Sequence, residues 1–108
     1  MKRLISILLL AVLSGCVTLK AEHVITGTPR APFAGEVKVV MENAPLTGEY
    51  EEVAILNSAG VGQDSTLPSV IKALQAEAAS LGCNAVIRVR FDQGLTQASA
   101  TGVAVFMK

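Results

Sequence analysis

The chain of 108 residues has no Trp, one Tyr, three Phe, one His and two Cys. So few aromatics leave no stacking platform for bases or sugars. One imidazole and two thiols supply neither a Ser-His-Asp set nor a zinc spacing. Excess positive charge is also missing, because nine Lys/Arg balance nine Asp/Glu. A nucleic-acid binder usually carries a basic patch, so that class is disfavoured. No apolar run is long enough for a membrane span. The longest extends from Leu4 to Leu13, broken by Ser6, about half of the roughly 20 residues a span needs.

That run has a different use. Lys2 and Arg3 precede it, and charge followed by a short apolar stretch reads as a secretory signal. It ends Leu13-Ser14-Gly15-Cys16, which resembles the bacterial lipobox. The resemblance implies a diacylglycerol thioether on Cys16, cleavage just before it and acylation of the new amine. Residues 1–15 are then a signal peptide. Acyl chains gain about 0.8 kcal/mol per buried CH₂, so two or three hold a protein to a membrane durably. Val17, where inner-membrane lipoproteins often carry Asp, implies the outer membrane and its periplasmic face. With Cys16 lipidated, Cys83 is the remaining thiol, so no intramolecular disulfide is expected.

Residues 16–35 contain Gly27, Pro29, Pro32 and Gly35 without a sustained period. They read as the lipidated Cys plus a tether, with His23 solvated in it. Residues 36–108 read as one α+β domain. Strands are expected at 36–41 (Val37, Val39 and Met41 inward), 50–57 (Val53 and Ile55 on one face), 85–92 and 100–107. In the third, Ala85, Ile87, Val89 and Phe91 oppose Arg88, Arg90 and Asp92. In the last, Val103, Val105 and Met107 oppose Ala104 and Phe106. The helix opens at Ser65 or Thr66, takes Pro68 in its first turn and closes at Gly82. Leu67, Val70, Ile71, Leu74, Ala78 and Leu81 make its apolar stripe.

The pattern β-β-α-β-β implies a two-layer sandwich, one helix on a four-stranded sheet. Counted along the chain, the strand order 1-2-4-3 puts the most apolar strand inside. The face without a helix is expected to carry Phe106, Ala104, Val40 and Leu56. An apolar face of that kind points to self-association or a protein partner.

The stretch Ala78-Ala79-Ser80-Leu81-Gly82-Cys83-Asn84-Ala85-Val86-Ile87 and the ending Ala100-Thr101-Gly102-Val103-Ala104-Val105 resemble the small YbjQ-like domain family. The likeness is best over residues 66–106. More distantly the chain is similar to RcsF-like envelope-stress lipoproteins, and Tyr50-Glu51-Glu52-Val53-Ala54 fits the strand before their helix. The resemblance implies a fold and, for YbjQ-like domains, a heavy-metal label and pentameric assembly. RcsF-like signalling uses several disulfide-forming cysteines, which a single Cys83 does not supply.

Chemistry is sparse. Cys83 follows a helix C-terminus, where the dipole disfavours thiolate, so it reads as buried and inert. Gly60-Val61-Gly62 lacks the third glycine of a dinucleotide fingerprint, and Asp64 would repel a phosphate. Glu49 and Glu51 share a strand face and are weak candidates for holding a hard cation; with Glu52 they read more simply as a solvated edge, or as partners of Arg88 and Arg90 across the sheet. The expectation is a lipid-anchored envelope protein that works by binding, as a homo-oligomer, with an envelope partner or in stress sensing. It has no catalysis, no cofactor and no nucleic acid. The alternative is a metal or small-ligand binding module.

Overall fold

The computed structural model describes residues 18–108. Residues 1–15, read above as a signal peptide, and Cys16 lie outside the described residues. The elements are β1 (Leu19–Ile25), β2 (Lys38–Met41), β3 (Tyr50–Val61), a 3-10 turn (Gly62–Asp64), α1 (Leu67–Ser80), β4 (Ala85–Gln93) and β5 (Gln97–Met107). One helix covers one face of a mixed five-stranded sheet ordered β1-β3-β5-β4-β2. The α+β class holds; the four-stranded count and the 1-2-4-3 order do not.

The helix follows its local signals closely. Thr66 accepts a hydrogen bond from the Ser69 N–H, Pro68 stands in the first turn, and Val70, Leu74 and Ala78 are buried. At the other end the Cys83 N–H donates to the Ala78 carbonyl and the Gly82 N–H to that of Ala79, both at 3.0 Å. This is the paired Schellman arrangement, and it needs a left-handed residue just past the cap. Gly82 takes φ +81°. A Cβ there would also lie 2.5 Å from the Arg30 Cβ and 2.7 Å from the Ala31 oxygen, so a side chain is excluded twice. Leu67, expected in the apolar stripe, is instead 43% exposed, beyond the reach of the sheet.

β5 is the central strand, antiparallel to both β3 and β4. The crossover from β3 through α1 to β4 therefore leaves a slot that the most apolar strand fills, as the sequence suggests. Its faces are opposite to expectation. Ala98, Ala100, Gly102 and Ala104 form the helix side, with Leu56 of β3 beside them in the same core. Small side chains let α1 sit close to the sheet. The bulkier Val103, Val105 and Met107 turn outward, where Val40, Ala85, Ile87, Leu46 and Tyr50 join them in a second, smaller cluster.

Register shifts explain the other face errors. Between Glu52 and Ala54 the β3–β5 pairing gains a residue. Val53 and Ala54 are then both buried, and Ile55 is left 50% exposed. Between Ile87 and Arg90 a second irregularity interrupts β4–β5. Arg88 sits there at φ +52°, uncommon for a residue with a side chain. Ala85 and Ile87 consequently face outward while Val86, Val89 and Phe91 face the helix. A bulge reverses the alternation downstream, which period-two reading cannot foresee.

The largest correction concerns the tether. Leu19–Ile25 forms β1, antiparallel to β3 from Leu19↔Gly60 to Ile25↔Ala54. The chain then crosses the C-terminal end of α1. The Arg30 N–H donates to the Leu81 carbonyl at 2.9 Å and the Phe33 N–H to that of Ala79 at 2.8 Å. The first gives the Leu81 carbonyl, beyond the helix end, a partner; the second adds to the Ala79 carbonyl, which already accepts the Gly82 N–H. Phe33 packs on the core. The crossing delivers β2 to the far edge, parallel to β4. Because β1 already occupies the edge beside β3, residues 36–41 cannot pair there. Val37 is buried, but Met41, expected inward, is 42% exposed beyond a register shift.

Candidate functional site

The first described residue, Thr18, fixes where the chain enters the domain. Its carbonyl accepts from the Val61 N–H at 2.8 Å, and its hydroxyl donates to the Asp64 carboxylate. Cys16, the lipid-attachment residue the lipobox implies, is thus two residues before a backbone position held to β3.

Next along the chain, His23 points to the helix. Its Nδ1 lies 2.5 Å from the Glu77 Oε1, so it latches β1 to α1 rather than standing free in a tether. Farther on, Arg30 pairs with Glu51, and its guanidinium carbon lies 4.2 Å from the Phe106 ring centre, a cation–π contact. The crossing segment thereby covers Phe106, which the sequence placed on an open face. Ala104 and Leu56 belong to the core under the helix, so the helix-free face does not carry them.

Of Glu49 and Glu51, the weak cation candidates, Glu51 is taken by Arg30; Glu49 is held through its backbone, its carbonyl accepting the Lys108 N–H at 3.2 Å. Among the described residues no three His, Cys, Asp or Glu are grouped to hold a metal ion. The expected pairing of the acidic cluster with Arg88 and Arg90 is not formed. Arg88 reaches the Tyr50 hydroxyl at 3.5 Å, and Arg90 pairs with Glu42 at 3.3 Å.

Cys83 is fully buried, behind the helix cap. Burial pushes its thiol pKa up, with the nearby Arg30 charge opposing more weakly. A protonated, inaccessible thiol is a poor nucleophile and a poor ligand. Gly60-Val61-Gly62 carries no open phosphate cradle: a Cβ on Gly60 would meet the Asp64 carbonyl oxygen at 2.0 Å, so the backbone there is closed on itself.

A depression of about 370 Å³ is lined by Arg90, Phe91, Asp92, Ser99, Ala100 and Thr101. Its polar lining is two hydroxyls, one guanidinium and one carboxylate. Asn84 has a structural part that residue type and spacing did not reveal. Its side chain donates to the Met107 carbonyl at 3.0 Å and accepts the Met107 N–H at 2.7 Å, clasping the end of β5. Sequence reasoning also missed Arg30 and Phe33. The signal available for β1 was the alternation Leu19, Ala21, His23 and Ile25 against Lys20, Glu22 and Val24.

No known protein family matches the chain, and no curated protein matches it. Among solved structures it is similar to the crystal structure of a Francisella virulence factor, FvfA, with a TM-score of 0.54 and 15% sequence identity. The alignment covers 83% of this chain and 99% of that one. At this identity the likeness concerns the fold alone. Among the described residues no helix is long and apolar enough to cross a membrane.

Proposed function

We propose that the protein is a lipid-anchored component of the bacterial envelope, held through acyl chains on Cys16, that works by binding rather than by catalysis. The observation that carries this reading is the sequence Leu13-Ser14-Gly15-Cys16 placed directly before a folded domain whose first strand opens at Leu19. Such an order suits a protein cut at Cys16 and released from its signal already next to its fold. The outer membrane, periplasmic side, is the proposed location, from Val17. The relationship to YbjQ-like and RcsF-like domains belongs to the same proposal. It is supported by the packing role of its residues: Gly82 caps α1, Asn84 clasps β5 and Gly102 lies against Val86, where an added Cβ would come within 2.5 Å. The binding reading is supported by the composition, with a single imidazole, His23, which here is engaged with Glu77.

The test is metabolic labelling with a palmitate analogue, followed by intact mass of the purified protein. Wild type should appear as a processed, acylated species beginning at Cys16. Cys16→Ala should accumulate unprocessed and unlabelled. A Cys16→Ala protein that is processed normally and stays with the membrane would sink the proposal.

A further inference from the structure

Three apolar side chains lie at one end of the domain with much of their surface in water: Val61 at 42%, Leu67 at 43% and Leu95 at 105%. They belong to the end of β3, the start of α1 and the β4–β5 hairpin. Hydrogen bonds tie these pieces to the point of chain entry. The Val61 N–H donates to the Thr18 carbonyl at 2.8 Å, and the Gly94 N–H closes the hairpin on Gln97 at 2.7 Å. Gln97 is the β5 partner of Val61. The Gln93 side chain reaches the Ser65 carbonyl at 3.1 Å, joining the hairpin to the helix start. The charged groups at this end include Lys20, Asp64 and Asp92, with no positive excess.

We propose that this end of the domain rests on the bilayer, with Val61, Leu67 and Leu95 in its headgroup layer. The inference rests on the reading of Cys16 as acylated. From Cys16 to Leu19 is three residues, which span at most about 10 Å when extended. The headgroup layer is itself about 5–7 Å thick on each side. An anchored domain therefore cannot stand clear of the surface at this end, and what it presents there is apolar. Side chains of this kind partition into the boundary between headgroups and acyl chains. Other exposed apolar groups lie elsewhere. Ile55 pairs with Val24, five residues along β1 from Leu19, about 17 Å away at the usual strand rise. Lys108, bonded to the Glu49 carbonyl, marks the opposite end.

The test uses the full, acylated protein in phosphatidylethanolamine–phosphatidylglycerol vesicles carrying a quencher on the acyl chains. A polarity-sensitive fluorophore is placed in turn through Leu95→Cys, Ile55→Cys and Lys108→Cys; Cys83 is buried and stays unlabelled. Quenching at position 95 should exceed that at 55 and 108 by about threefold or more, with a blue shift and no loss in high salt. Adding Leu67→Asp, which suits a helix N-terminus and so preserves the fold, should lower the quenching at 95. Acylated protein with equal quenching at all three positions would overturn this proposal and leave the anchor standing. A mass showing no acyl group on Cys16 would overturn both.

Discussion

Residues 66–107 and residues 19–48 are held by different kinds of information. In the first stretch, α1, β4 and β5 are long, apolar and punctuated by local signals: Thr66, Pro68, Gly82 and the run to Met107. In the second, β1 and β2 are edge strands, and the chain between them is irregular. Most of β1 is exposed, with only Leu19 and Ala21 partly buried. An edge strand with one partner needs little apolar surface, because its place is secured by ladder hydrogen bonds and by contacts made elsewhere in the sequence. A segment can thus look like a linker and still complete the fold.

The junction between the regions should show the largest effect. Gly82→Ala places a Cβ against Arg30 and Ala31 and strains a φ of +81°. It should lower stability by about 3 kcal/mol, read as the urea midpoint. A loss of only a few tenths would mean the crossing segment is not seated on the helix end. Phe33→Ala sharpens the same contrast. A tether residue would give no change, whereas a ring packed on the core should give about 2 kcal/mol, discounted for partial exposure.

Asn84→Ala removes both hydrogen bonds to Met107 and should destabilise by about 1–2 kcal/mol. Amides of Met107 and Lys108 should then exchange faster while those of α1 stay protected. The His23–Glu77 latch, at 35% and 23% side-chain exposure, is partly screened; Glu77→Ala should change stability by only about 0.5 kcal/mol. Hydrogen exchange along β1 should rise more than that figure suggests, since opening of an edge strand is local.

The smallest effect is set by Cys83. Its pKa is raised in the folded protein by burial, so the folded state holds the proton more tightly than the unfolded chain. The contribution is fully present below the ordinary thiol pKa of about 8.5 and is lost as pH rises through the folded value. Wild type should therefore lose stability above that pH more than Cys83→Ala does. Equal slopes would mean the thiol titrates as if exposed.

Much of the core was legible because helix caps and apolar periodicity act locally. Val70, Leu74 and Ala78 fall where spacing put them, and Gly82 closes the helix as its type requires. The candidate site was less legible. Glu51 lies at the start of β3, just after Glu49, yet its partner is Arg30, 21 residues away, brought in by a crossing that no periodicity announces. Val53 and Ile55 show a second limit. Alternation assigns them one face, and a single extra residue in β3 sends them to opposite sides.

Residue type and short-range spacing alone placed the capped helix at 67–80 and the last strand at the centre of the sheet. Chain connectivity preserves signals of both kinds. Only the tertiary structure decided that residues 19–25 join the sheet, that β2 lies at the far edge and which face of β5 meets the helix. Those outcomes depend on competition for one sheet edge, on bulges that reverse alternation and on the close approach that small side chains permit. All three are settled between segments far apart in the chain.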